Sequence, residues 1–231
     1  MNADLKRFVS TLYPNVKLKR DLALDQIRNF DRCARGNYPP LKSAWSVFYK
    51  TGYGKEIHRA LGDHLKEKQQ GYCCYCQDKI FSRVNGNIEH VLPIKWYPMF
   101  AFTYNNLALA CATCNAFKSS SDWYHLNAIT LLYQGNVFGS YHPNIDTYDD
   151  HIVMFHIRTN HLHLRTFVGK TPKGKKICSD LLEKVSIFSL KETGNPIVAK
   201  TLQALNYYIE QNPDAMSDDL TAIMNRLYLK I

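Results

Sequence analysis

Gly71-Tyr72-Cys73-Cys74-Tyr75-Cys76 and, later, Cys111-Ala112-Thr113-Cys114-Asn115 are the two stretches on which the fold of this chain turns. In each, two cysteines are separated by two residues, Cys73 from Cys76 and Cys111 from Cys114. This spacing lets both thiolates of a knuckle face one ion while its backbone amides point at the sulfurs. Two such knuckles make a tetrahedral four-sulfur cage, which suits zinc above most other common metals. A redox dithiol, ordinary buried thiols and an iron–sulfur cluster are the alternatives. A closed four-sulfur site has no open position, so the expected ion is one structural zinc per chain that performs no chemistry. Seven cysteines in all is an odd number, and Cys33, Cys74 and Cys178 are expected to be free thiols.

Between the knuckles, Lys79–Arg83 reads as a short strand, Asn85-Gly86 as a hairpin turn, and Asn87-Ile-Glu-His-Val-Leu92 as the second strand, stopped by Pro93. An aromatic loop follows. Its Trp96, Tyr97, Phe100 and Phe102 are read first as packing, with base stacking as the alternative. Asn106-Leu-Ala-Leu-Ala then leads into the second knuckle and a helix, which puts Lys118 one helical turn after Asn115.

Farther out, residues 1–68 look helical and irregular. Leu41–Tyr49 carries Trp45 and Phe48, and Gly52-Tyr53-Gly54 is expected to break that segment. From Lys55 to Gln70, Ile57, Leu61 and Leu65 recur every fourth residue, the mark of an amphipathic helix, and Gly71 is placed to cap it. Toward the C-terminus, His151–Arg158 and His161–Val168 suggest a second hairpin. A helix from Gly174 would turn Ile177, Leu181, Leu182 and Val185 inward, and two more are expected near Pro196–Gln211 and Ser217–Lys230. Three segments result: a helical N-terminal region over 1–68, a zinc-stapled core over 69–146, and a C-terminal hairpin with helices over 147–231.

A hydrophobic share of 45% and a charged share of 21% describe an ordinary globular chain. No apolar run approaches the roughly 18 residues of a membrane span, and the first residues show no secretory pattern, so a cytoplasmic protein is expected. In a reducing compartment paired cysteines favour metal over disulfides. The formal charge of +9 favours a polyanionic partner, since each phosphate contact releases counterions.

Taken in order, Cys73-x-x-Cys76, Glu89-His90 with Pro93, Asn106-Leu107 and Cys111-x-x-Cys114-Asn115-x-x-Lys118 resemble the zinc-stabilised HNH endonuclease motif. The resemblance implies an α+β fold, with a ββα-metal, treble-clef-like nuclease core set inside a mainly helical shell. It implies His90 as general base, Glu89 and Asn115 as ligands of a catalytic Mg²⁺ or Mn²⁺, Asn106 as the residue that ties the loop and orients the base, and Lys118 as a phosphate contact. Many members have Asp where Glu89 stands and His where Asn115 stands; both replacements keep a hard oxygen donor, which suits Mg²⁺. Asn115 has a second reading, as a helix cap.

A further stretch, Tyr141-His142-Pro143-Asn144-Ile145-Asp146, Asp150-His151 and Gly169-x-Thr171-x-x-Gly174, resembles the segment trailing the HNH core in a bacterial branch. That branch includes nucleases that accompany an ATPase in antiphage defence, such as Septu systems and some retrons. The resemblance therefore implies cleavage of nucleic acid, with DNA expected, and a protein partner, with an ATPase expected. His142 is read as a loop cap. The alternative to a nuclease is a catalytically silent zinc module that recruits nucleic acid or protein.

Overall fold

The computed structural model describes residues 3–36, 44–126, 128–158 and 163–192. The helices expected near Pro196–Gln211 and Ser217–Lys230 lie outside the described residues. The chain divides into two compact units. One comprises residues 1–155 with 166–185 and the other residues 156–165 with 186–231. Among the described residues no helix is long and apolar enough to cross a membrane.

Four helices open the first unit: α1 (Ala3–Leu12), α2 (Lys17–Ala34), α3 (Ala44–Phe48) and α4 (Gly52–Lys68). Each buries residues at helical spacing. In α2 these include Leu24, Ile27 and Ala34, and in α4 Ile57, Leu61 and Leu65. Gly52-Tyr53-Gly54, expected to break the chain, instead forms the first turn of α4. Thr51 caps that turn by accepting the Gly54 amide at 3.1 Å. Glycine at 54 serves close packing, since a Cβ there would stand 1.8 Å from the Phe48 carbonyl oxygen. The other end of α4 follows expectation: Gln70 and Gly71 take positive φ, and the Gly71 amide reaches back to the Lys66 carbonyl.

The hairpin expected at Asn85-Gly86 does not form. Lys79 makes a single bridge to Tyr72, Arg83–Asn85 is a short 3₁₀ turn, and Gly86 already belongs to a strand. Strand β1 (Gly86–His90) pairs antiparallel with β2 (Leu107–Cys111), Gly86 opposite Cys111 and His90 opposite Leu107. The reason lies in packing. Gly86 sits so close to Ile80 and Leu109 that a Cβ would meet them at 3.1 and 3.3 Å. Leu107–Ala110 is wholly buried and offers β1 an apolar partner that no local turn could match. Helix α5 (Ala112–Lys118) follows β2 directly, and Cys111 caps it.

Gln69, just past α4, extends this sheet with its side chain. Its amide donates to the Leu109 carbonyl at 2.8 Å and its oxygen accepts the Leu109 amide at 2.7 Å. After α6 (Tyr148–His151), strands β3 (Ile152–Arg158) and β4 (His163–Gly169) form the second hairpin the sequence suggested. Helix α7 (Pro172–Ile177), a π-turn over Cys178–Leu182 and α8 (Glu183–Glu192) continue the chain. Ile177, Leu181, Leu182 and Val185 are buried as their spacing predicts. In the second unit, the Arg165 amide donates to Ser189 Oγ at 3.4 Å.

Candidate active site and cysteine cluster

The two knuckles converge. The Sγ atoms of Cys73, Cys76, Cys111 and Cys114 all lie within 4.8 Å of one another, and Cys76 and Cys111 are 3.7 Å apart. A zinc tetrahedron with bonds of about 2.3 Å has edges of about 3.8 Å, so the spacing is that of a four-sulfur cage. Backbone amides face the sulfurs as thiolates require: Cys111 N–H donates to Cys73 Sγ at 3.2 Å and Cys114 N–H to Cys111 Sγ at 3.4 Å. Titration is split within the cluster. Burial pushes Cys73 up, but hydrogen bonds from Cys111, Cys114, Cys74 and Cys76 hold it well below the usual thiol value; Cys114 is driven well above it by Cys111, Cys73 and Cys76. Four thiols this close cannot all ionise without a cation among them. Cys33, Cys74 and Cys178 stay outside the cluster as free thiols, and burial pushes Cys178 up to about 12.

His90 ends β1 in a buried aromatic niche. Its ring meets Trp45 edge to face, with centroids 4.8 Å apart. Its Nε2 lies 3.0 Å from the Ala101 carbonyl oxygen. A carbonyl only accepts, so Nε2 carries the proton and Nδ1 keeps a free lone pair. Burial, opposed by the Ala101 bond and helped by nearby Lys118 and His58, lowers the His90 pKa from 6.5 to about 4. The imidazole is therefore neutral at cellular pH.

Glu89 and Lys118 form a buried ion pair beside this niche. Glu89 is 4% exposed and Lys118 1%. The Lys118 ammonium also donates to the His90 carbonyl at 2.8 Å, and Tyr75 OH lies 3.5 Å from the Glu89 carboxylate. Burial raises the Glu89 pKa while Lys118 opposes the rise. Lys118 thus faces a carboxylate and a carbonyl, and its ammonium is shut off from solvent. Asn115 stands three residues before it on α5, half-buried.

Asn106 is fully buried and spans the loop between the strands. Its side-chain oxygen accepts the Leu92 amide at 2.7 Å and the Tyr133 hydroxyl at 2.9 Å. Its nitrogen donates to the carbonyls of Leu92 at 3.1 Å and Phe100 at 3.2 Å. Leu92 and Phe100 flank the His90 side and the Ala101 carbonyl, so Asn106 sets the frame in which the imidazole sits. His142 continues the network. Its Nε2 meets Tyr133 OH at 2.7 Å and its Nδ1 accepts the Asn144 amide at 3.2 Å, the loop-capping role the sequence suggested. The polar residues after it also tie the chain together: Asp146 accepts Lys173 Nζ at 2.7 Å, and His151 Nδ1 meets Thr171 Oγ1 at 2.6 Å.

The aromatic loop divides. Tyr97, Phe100 and Phe102 are buried packing residues, whereas Trp96 is 54% exposed. Two residues near His90 escaped the sequence reading as site residues, Trp45 of α3 and His58 of α4. Trp45 lies between the two histidine rings, 4.8 Å from that of His90 and 5.9 Å from that of His58. Nothing in their local sequence points to this, because both come from helices far upstream of the knuckles.

No protein of curated function and no solved structure matches the chain. The HNH endonuclease family model matches residues 73–121, a span that begins at the first knuckle and holds Glu89, His90, Asn106, Asn115 and Lys118. Residues 73–121 are thus an HNH endonuclease domain built on a four-cysteine cluster.

Proposed function

We propose that the chain is a metal-dependent endonuclease that hydrolyses phosphodiester bonds of DNA, with His90 as general base in a ββα-metal core. The observation that carries this reading is the state of His90: neutral, with its Nε2 proton held by the Ala101 carbonyl and its Nδ1 lone pair free. In that state Nδ1 takes a proton from water, and the hydroxide attacks phosphorus in line with the 3′ oxygen. The bond from phosphorus to that oxygen breaks, leaving a 5′-phosphate and, once the leaving oxygen has gained a proton from solvent, a 3′-hydroxyl. Asn106 keeps the loop carbonyls in register during this step, and Trp45 closes one edge of the imidazole from water.

Two ions belong to this reading. The cysteine cage fits a structural zinc by donor type and spacing. By donor type Glu89 and Asn115 would offer one carboxylate and one amide to Mg²⁺ or Mn²⁺, with Glu89 first released from its ion pair with Lys118. When bound, such an ion polarises the phosphoryl oxygen and stabilises the leaving oxygen. The sequence expectation that Lys118 touches phosphate is replaced here by another role: it neutralises Glu89 and holds the His90 carbonyl.

That same pairing favours the second reading, a zinc-stapled binding module without catalysis, because the Glu89 carboxylate is already satisfied. Cleavage of a DNA substrate across a Mg²⁺ titration separates the two. Metal-dependent cutting abolished by His90→Ala supports the nuclease; a folded, zinc-loaded, nucleic-acid-binding protein that never cuts supports the module. The resemblance over Tyr141–Gly174 carries the further proposal that the enzyme is an effector in antiphage defence licensed by an ATPase partner. Co-purification with the product of the adjacent gene, and cleavage with and without it, tests that placement.

A further inference from the structure

We propose that Trp96 is a stacking platform for an unpaired nucleobase next to the scissile phosphate, so that the substrate is single-stranded or locally unpaired nucleic acid; this rests on the nuclease reading above. Of the three tryptophans, Trp45 and Trp123 are 6% and 5% exposed, whereas Trp96 is 54% exposed. Its exposure is not looseness. The Trp96 and Tyr97 amides both donate to the Pro93 carbonyl, at 3.0 and 2.9 Å, which closes a tight turn. The indole N–H donates to the Ser120 carbonyl at 3.0 Å and so fixes one ring edge. The next residue, Tyr97, is buried and pinned through its hydroxyl to Asp122 at 2.6 Å. An indole held by its edge on a rigid turn presents a face with little rotamer entropy left to lose.

The surroundings select the ligand. The Lys95 ammonium sits over one face of the indole, 4.8 Å from its centroid, a cation placed to meet a phosphate flanking a base stacked on the opposite face. The same loop supplies the Ala101 carbonyl that orients His90, and Ser120 lies two residues beyond Lys118, which holds the His90 backbone. The platform is thus tied from both sides to the elements that set the proposed base. Bases within a duplex have both faces covered by their neighbours and show only edges. A flat aromatic face therefore engages a base only where pairing and stacking are already broken.

Because Trp96 is the one exposed tryptophan, its emission reports binding directly. Short deoxyoligoadenylate and ribo-oligoadenylate, and a blunt DNA duplex of equal length, are titrated into the full chain without added divalent ion, so that no strand is cut. Quenching by the single strands and not by the duplex is expected, and the two sugar arms show which nucleic acid supplies the base. Trp96→Phe should abolish the quench while keeping affinity, by leaving a ring to stack on. Trp96→Ala, with unchanged circular dichroism, should weaken single-strand binding roughly five- to a hundredfold. Equal quenching by duplex, quenching that survives Trp96→Phe, or unchanged affinity in Trp96→Ala overturns the platform. Should cleavage by His90 fail under every metal while the quench persists, the nuclease reading falls and the platform stands; the converse result sinks the platform alone.

Discussion

His90 and Lys118 show how burial governs the charge and partners of single side chains. Because the folded pKa of His90, about 4, lies below its ordinary 6.5, the working neutral form persists until the pH falls to about 4. Cleavage should therefore keep its base down to that pH, and an acid limb centred near 6.5 would contradict the burial argument. Stability moves with the same linkage. Below pH 6.5 the unfolded chain takes a proton that folded His90 refuses, so the fold loses up to about 3 kcal/mol as pH drops toward 4. His142, depressed to about 3 by its own burial, acts in the same direction. Melts at pH 7 and pH 4.5 should show the loss, with a smaller pH dependence in His142→Asn. His90→Ala should cut hydrolysis by roughly 10²- to 10⁴-fold and keep zinc content, while the emptied niche beside Trp45 and the stranded Ala101 carbonyl cost about 1–3 kcal/mol of stability. Lys118→Met strands a buried carboxylate and should cost about 3–5 kcal/mol in urea unfolding, most of it recovered when Glu89→Gln is added. If the single change is as stable as wild type, the pair is not the counter-charge described here.

At the level of elements, the loop between β1 and β2 depends on Asn106 more than on its own sequence. Asn106→Ala removes four hydrogen bonds and takes from the buried Leu92 amide and carbonyl the partners they have in Asn106, while the Phe100 carbonyl keeps the Thr103 amide, so a loss of about 2–4 kcal/mol is expected. Tyr133→Phe removes one of the four together with the bond to His142 Nε2, and should cost about 1–3 kcal/mol. Hydrogen exchange at the Leu92 amide checks both, and protection unchanged in Asn106→Ala would refute the frame role. The same elements show what the sequence could and could not disclose. The cysteine spacing is legible in the sequence because two short motifs whose spacing encodes geometry supply all four sulfurs, and Asn106 ties the loop as its place in the motif implies. Strand pairing was misread at Asn85-Gly86 because that dipeptide is a strong local turn signal. Packing of Gly86 against Leu109 and Ile80 outweighs it, and that is decided by residues far along the chain. Trp45 and His58 were unreadable as site residues for the same reason, since only the tertiary fold brings α3 and α4 beside His90.

Across the whole first unit, the cysteine cage joins pieces too small to stand alone. Strands β1 and β2 have five residues each and α5 has seven, well short of what a hairpin or an isolated helix needs in water. The cage ties the turn after α4 to the start of α5, and Cys74 adds a backbone bond to Leu109 at 3.0 Å on the way. The four-cysteine cage therefore joins the helix that carries Asn115 and Lys118 to the strand pair that carries His90. Thiols 3.7 Å apart repel once ionised, so a cation held in the cage would compensate a charge the apolar core cannot solvate. The purified chain should carry about one zinc. Cys76→Ser or Cys111→Ser should lower zinc content and melt the domain, while Cys178→Ser, a thiol outside the cage, should do neither. A strong chelator should abolish cleavage together with the near-ultraviolet signal of the buried Trp45 and Trp123, and readdition of Mg²⁺ alone should restore neither. Full cleavage by a folded protein shown by elemental analysis to hold no zinc would mean that packing alone supports the site.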